Sequence, residues 1–265
     1  MPRAATISSP ANPLLKDVRR AIQRGGLTPQ GWCVAETFHL LEEALRDAQV
    51  QHVLAAESAR ARAEACLLGR PNVPLAVLPD RLFQTISATE TSQGVLALVN
   101  LPEQSRDRQG AVGGPALIVV LDAIQDPGNA GAIIRAAEAF GATGAIFLKG
   151  SVSPYNPKTL RASTGSLFRV PFRHAVPDDI IQHSGLTLYA AVLARPGSSA
   201  HRPDDVDLTQ DCALIVGSEA HGVSPALRSA STGVSIPTSG VESLNAAVAA
   251  GILLYEAARQ RSGRP

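Results

Sequence analysis

The chain has 265 residues, 45% of them hydrophobic, with 24 Lys and Arg against 23 Asp and Glu and a formal net charge of +1. That length and apolar fraction suffice for one large folded domain or two ordinary ones, and they argue against disorder. The neutral balance argues against a domain that coats nucleic acid by bulk positive charge, so any contact with a polyanion must be local.

Cys33, Cys66 and Cys212 are too far apart in sequence for a metal cluster and too few for a disulfide framework. They read as small core residues in a reducing compartment. The opening MPRAATISSPANPLLKDVRR lacks the continuous apolar run of a secretory signal, and no later stretch reaches 18 uninterrupted apolar residues. The expected product is soluble and cytoplasmic, with no membrane partner.

Taken in chain order, the first hundred residues alternate helical patterns with short apolar runs. Helices are expected over Pro13–Arg24, Phe38–Ala48 and Ala59–Leu68, and strands over Cys33–Ala35, His52–Ala55, Leu75–Leu78 and Val95–Val99. The stretch 102–115, LPEQSRDRQGAVGGP from Leu101 onward, is polar and rich in Gly and Pro without apolar periodicity, and reads as a linker. It divides the chain into 1–101 and 116–265.

The second part opens with the apolar run 116–122, a loop, a helical pattern over 130–142 and an apolar run over 145–148. Runs over 188–193, 213–217 and 233–237 are short, continuous and rich in β-branched residues, as buried parallel strands are. The segment Glu242–Arg261 is a long alanine- and leucine-rich helical pattern ending in Arg259 and Arg261, where cations suit the helix dipole.

Three loops carry the chemistry. In DAIQDPGNAGAIIRAAEAFGA (122–142), a strand ends at Asp122, Pro127 and Gly128 read as a turn, and Asn129 is expected to cap a helix. Arg135 follows less than two turns later, within reach of the strand-end crevice where open α/β sheets bind ligands. An ordinary cap beside a surface arginine is the plainer reading, and the scarcity of other charge in GAIIRAAEAFGA disfavours it. In LIVGSEAHGVSP (214–225), Gly217 and Gly222 permit close approach of backbone to a ligand, with Glu219 and His221 between them and a short helix expected near Ser224. In SIPTSGVESLNAAVAAGILLYEA (235–257), Ser243, Leu244 and Asn245 precede an alanine-rich helix; they read equally well as an anion-binding helix start and as a cap supplied by Ser239 or Ser243.

Several signatures are missing. There is no G-x-G-x-x-G after a strand, no Walker loop and no serine-centred nucleophile elbow, and the six histidines show no metal-ligand spacing. No metal is expected.

Charge counted by segment is uneven. Lys149, Lys158, Arg161, Arg169 and Arg173 fall in a stretch without one acidic residue, and Arg3, Lys16, Arg19, Arg20 and Arg24 face only Asp17 in the first 24 residues. Two solvated surfaces are one explanation, and local contact with a polyanion is the other.

In this order and at these separations, DPGNAGAIIRAAEAFGA, LIVGSEAHGVS and SIPTSGVESLNAAVAAGILLYE resemble the three signature motifs of the SpoU (TrmH-like) class of the SPOUT RNA methyltransferases. The resemblance covers residues 116–261. The first part, with NPLLKDVRR, VAETFHLLEEAL and TSQGVLALV, resembles the small substrate-binding domain many such enzymes carry, except that Thr37 stands where a glycine often follows the glutamate.

The resemblance implies an α/β fold: a knotted (trefoil) parallel-sheet domain in the C-terminal part, preceded by a smaller α/β RNA-binding domain. It implies a homodimer and an S-adenosylmethionine site formed by Leu193, Ala194, Gly217, Ser218, Glu219, Ile236, Leu244 and Asn245. Asn129, Arg135, Glu219, Ser243 and Asn245 fall on active-site positions for methyl transfer to a ribose 2′-hydroxyl. With that placement, Lys158, Arg161 and Arg169, together with Arg19 and Arg20, become the expected RNA contacts. Tyr155 and Phe168 are available either to stack on a base or to pack in the core. The first expectation for the substrate is large-subunit ribosomal RNA, for housekeeping or for antibiotic resistance. The alternatives are tRNA, and an inactive RNA-binding or ribosome-assembly factor of the same fold; retention of every polar motif residue disfavours the last.

Overall fold

A computed structural model describes residues 4–101, 114–193 and 199–263. In chain order its elements are β1 (Ala5–Thr6), α1 (Pro13–Arg24), β2 (Trp32–Glu36), α2 (Phe38–Asp47), β3 (Gln49–Ala56), α3 (Arg60–Cys66), β4 (Leu75–Leu78), α4 (Asp80–Gln84) and β5 (Val95–Asn100). They continue with β6 (Leu117–Asp122), α5 (Pro127–Ala139), β7 (Gly144–Leu148), α6 (Pro157–Ser163), β8 (Phe172–Ala175) and α7 (Pro177–His183). The remainder are β9 (Thr187–Ala191), β10 (Cys212–Gly217), α8 (Pro225–Ser229), β11 (Thr232–Val234) and α9 (Ala246–Arg261).

These elements form two compact units, residues 1–102 with 153–169 and residues 103–152 with 170–265. Most of the expected linker, residues 102–113, lies outside the described residues. The segment 153–169 departs from the expected division, because it packs with the first unit. Its α6 lies on β2. Arg169 pairs with Glu43 at 2.5 Å and Asp47 at 2.9 Å, and Arg161 reaches the buried Glu36 at 3.6 Å.

The first unit is a mixed five-stranded sheet in the order β1-β4-β3-β5-β2, in which β5 runs antiparallel to both β3 and β2. Helix α1 begins and ends where local chemistry dictates. Asn12 Oδ1 accepts from Leu14 N, Pro13 occupies the first turn, and Gly25 ends the helix at φ 59°. Helix α2 is capped by Thr37, whose Oγ1 accepts from Leu40 N at 3.1 Å although its backbone sits at φ 128°, a region that only glycine enters freely. The residue just before it, Glu36, is buried and accepts hydrogen bonds from Ser87 Oγ, Ala88 N, Thr89 Oγ1 and Ser92 Oγ. One carboxylate thus ties Ser87, Ala88, Thr89 and Ser92 together.

The second unit is an all-parallel six-stranded sheet in the order β11-β9-β10-β6-β7-β8. Its central strands are buried along their length, as a parallel sheet covered on both faces requires. Ile118, Val120, Ile146, Ala213 and Ile215 form a core on one face with Ile180 and Leu227. Helices α5 and α9 pack together, and α9 also lies on β10. Arg261 anchors the end of α9 by donating to the carbonyls of Leu208, Ala116 and Gln210.

Candidate active site

The site forms at the carboxyl ends of β6 and β10 and the start of α9, all within the second unit. Asp122, the last residue of β6, is buried, and its Oδ2 accepts from Ser224 N at 2.6 Å, tying the end of β6 to the loop after β10. The chain then enters α5 three residues earlier than expected. Asp126 is the N-cap, its Oδ1 accepting from Asn129 N at 2.7 Å, with Pro127 in the first turn. Pro127 and Gly128 are therefore helical and not a turn, because proline is preorganised for the first helical position. This correction frees the Asn129 side chain from capping.

The freed amide joins a chain of hydrogen bonds. Asn245 is the N-cap of α9, in place of the expected Ser239 or Ser243, and its Oδ1 accepts from Ala247 N at 2.9 Å and Val248 N at 3.3 Å. Those donors fix the amide's orientation, so Nδ2 must face away, and it donates to Asn129 Oδ1 at 2.9 Å. Asn129 in turn points its Nδ2 at Glu219 Oε1, to which it donates. The start of α9 thereby sets the polarity of two amides and delivers a donor to one oxygen of Glu219.

Glu219 also lines a cavity of about 860 Å³. Leu193, Gly217, Ser218, Ile236, Ser243 and Leu244 line it as well, so the structure gathers most of the expected cofactor residues. Asn245 is not on the lining; it belongs to the hydrogen-bonded chain beside it. Ala194 lies outside the described residues. Gly217 is dictated by packing, since a Cβ there would stand 2.0 Å from the carbonyl carbon of Gly222. The loop between these glycines folds back on itself through Gly222 N donating to Ser218 O at 2.8 Å.

The lining includes residues that sequence reasoning passed over. Arg228 on α8 and Glu242 in the loop before α9 bring opposite charges, and Val241, 57% exposed, joins Leu193, 47% exposed, as apolar surface open to a ligand. The signal available for Arg228 was only its position one short helix after the second motif. His221, singled out in the sequence, lines the cavity.

Arg135 stands apart from this cluster. It is exposed on α5, about 120° round the helix and about 9 Å along it from Asn129, and among the described residues it makes no hydrogen bond or ion pair. The basic residues expected to meet RNA separate into two kinds. Arg161 and Arg169 are held by the acidic partners given above, and Arg19 donates to Thr85 O, Thr85 Oγ1 and Pro10 O; Lys158 and Arg20 are exposed. Tyr155 is buried.

Burial pushes the Cys33 thiol up to about 12 and raises those of Cys66 and Cys212, so none is poised as a thiolate nucleophile. Among the described residues, no group of three or more His, Cys, Asp or Glu side chains is arranged to hold a metal ion. No helix of the described residues is long and apolar enough to cross a membrane.

Comparison with known proteins places both parts of the chain. Residues 116–255 match the model of the SpoU rRNA Methylase family, and residues 12–97 match that of the MRM3-like substrate binding domain. The chain is 31% identical over 255 residues to the 23S rRNA (guanosine(2553)-2'-O)-methyltransferase RlmP of Bacillus subtilis, covering 94% of this chain and 97% of that protein. It is 39% identical over 198 residues to the 23S rRNA (uridine(2479)-2'-O)-methyltransferase of Streptomyces viridochromogenes, covering 72% of this chain and 69% of that protein. The crystal structure of an AdoMet-bound rRNA methyltransferase from Sinorhizobium meliloti superposes with a TM-score of 0.80 at 27% identity, covering 97% of this chain and 98% of that one.

Proposed function

Because the chain belongs to the SpoU rRNA methylase family, we propose that it transfers a methyl group from S-adenosylmethionine to a ribose 2′-hydroxyl of large-subunit ribosomal RNA. The observation that carries this reading is that Glu219 belongs both to the cavity and to the hydrogen-bonded chain from Asn245 through Asn129. One side chain thus faces the cavity and is held by an oriented amide.

The residues present fit S-adenosylmethionine. A cavity of about 860 Å³ falls within the usual range for small-molecule sites. Leu193, Val241 and Ile236 offer apolar contact to the adenine ring, Arg228 a partner for the carboxylate, and Glu242 one for the ammonium group. When bound, the cofactor supplies an electrophilic methyl group on a sulfonium.

The protein's own task is then to orient a weak nucleophile. Asn129 occupies Oε1 of Glu219, which leaves Oε2 to accept the hydrogen bond of the ribose hydroxyl. The bond from Asn129 restrains that carboxylate, so orientation costs less at the moment of reaction. Arg135 positions the ribose and the adjacent phosphate. A guanidinium offers N–H donors and no acceptor, so Arg135 is assigned no role as a base.

The proposal includes the trefoil knot implied by the resemblance, a cytoplasmic location and a homodimer. Support for the dimer comes from α9, where Val248, Ile252 and Tyr255 are 51%, 37% and 55% exposed. At spacings of four and three residues they form one apolar stripe, which a second copy would cover. The test is to map 2′-O-methyl groups in ribosomal RNA from a strain lacking this protein. Loss of one such group is expected, and an unchanged pattern overturns the reading.

A further inference from the structure

We infer that α1 and the start of α6 form one continuous RNA-binding edge of the first unit, made by Lys16, Arg20, Arg24 and Lys158. This rests on the function proposed above and names the surface that meets the RNA backbone. In sequence these residues belong to two separate basic stretches, and the fold joins them.

The joining is local and specific. Gly25 closes α1 so near to α6 that a Cβ on it would stand 2.7 Å from Nδ2 of Asn156. Asn156 is the N-cap of α6, its Oδ1 accepting from Lys158 N at 2.9 Å. The C-terminal end of α1 therefore abuts the turn that carries Lys158.

Along α1, Lys16, Arg20 and Arg24 recur every four residues on the face opposite the buried Leu15, Val18 and Ala21. The stripe is about 12 Å long, enough to meet several phosphates of an RNA strand. All three, and Lys158, are exposed. Among the described residues, none of the four has a hydrogen-bond or ion-pair partner for its side chain. The contrast with their neighbours is the decisive observation. Arg19, Arg161 and Arg169 are committed to carbonyls, a hydroxyl and carboxylates of the same unit. Asp17, the one acidic residue of α1, lies beside Arg20 and Arg24 and accepts from Gln30 Nε2 at 3.3 Å, and the 149–173 stretch adds no acidic residue, so the balance of this edge is positive.

The test uses the full chain and an in vitro transcript of large-subunit ribosomal RNA. Binding is measured against salt concentration for wild type, for the combined Lys16→Ala, Arg20→Ala and Arg24→Ala variant, and for Lys158→Ala, with methyl transfer by the wild type measured on the same transcript. The combined variant should bind at least tenfold more weakly, and the logarithmic salt slope should shrink by roughly 0.7–0.9 for each phosphate contact removed. Lys158→Ala should lower the slope by about one such step. S-adenosylmethionine affinity, measured by calorimetry, should not move. Unchanged RNA affinity and slope in both variants, with the wild type methylating the transcript, overturn the surface and leave the function standing. A wild type that neither binds nor methylates the transcript overturns the function, and the surface with it.

Discussion

Asn245 donates to Asn129 at 2.9 Å across a separation of 116 residues, and the donor's direction is set by the backbone N–H groups at the start of α9. The helix thereby determines which end of Asn129 faces Glu219. A carboxylate held by one oriented amide differs chemically from one that rotates freely, and the proposed function rests on that difference.

The isosteric substitution Asn245→Asp tests this relationship. The aspartate still accepts from Ala247 N and Val248 N, but it has no donor for Asn129, whose amide loses its fixed polarity. Turnover should fall by about 10²-fold, while S-adenosylmethionine affinity, read by calorimetry, stays within a few-fold of wild type. Equal losses in both would mean that Asn245 serves only to build the cavity.

Arg135→Ala should abolish methyl transfer and spare cofactor binding, because Arg135 lies off the cavity lining. Single-turnover kinetics with saturating cofactor check this. A near-wild-type rate removes Arg135 from the active site.

Arg228 is the one Arg or Lys side chain on the cavity lining among the described residues. Arg228→Ala should weaken S-adenosylmethionine binding on the order of tenfold, the worth of one charge-assisted hydrogen bond of about 1.5 kcal/mol. Arg228→Lys should recover part of it. Calorimetry showing no change in either variant would place the cofactor's carboxylate elsewhere.

Thr37 caps α2 from a backbone conformation at φ 128° and ψ 154°. Such a position costs a non-glycine residue about 1–3 kcal/mol, and replacing a threonine cap by glycine costs only a few tenths. Thr37→Gly should therefore stabilise the first unit by about 1 kcal/mol in urea unfolding. A loss of stability would show that the cap outweighs the strain.

Glu36 gathers donors from residues 87–92. Glu36→Gln turns an amide N–H toward groups that themselves donate, and should cost about 1–3 kcal/mol. Protease cleavage within 87–92 should rise with it. Stability equal to wild type would mean the loop is ordered by other contacts.

The elements legible in the sequence were those with local signals. Helix α1 matches its expected span because Asn12, Pro13 and Gly25 each act within a turn of it, and β4 matches because Leu75–Leu78 is a short buried run. The short α4, α6 and α7 have five to seven residues, too few to show a helical period. Within the site, sequence motifs identified Asn129, Glu219 and Asn245, but their mutual contacts span 90 and 116 residues and leave no trace in spacing. The same holds for Arg169, whose partners Glu43 and Asp47 lie more than 120 residues away. Basic residues that the sequence offered as RNA contacts were committed by the fold, and only the structure separates Arg19, Arg161 and Arg169 from Lys16, Arg20, Arg24 and Lys158.

Methyl transfer to a ribose hydroxyl leaves a chemical signature that labelled RNA reveals after hydrolysis. Purified protein is incubated with S-adenosylmethionine labelled in its methyl group and unmodified large-subunit ribosomal RNA, and the RNA is then hydrolysed in alkali. A methylated 2′-oxygen cannot attack the neighbouring phosphate, so the label should appear in an alkali-resistant dinucleotide and be strongly reduced with Asn245→Asp. Label released in mononucleotides, or no label incorporated, would overturn ribose methylation by this protein.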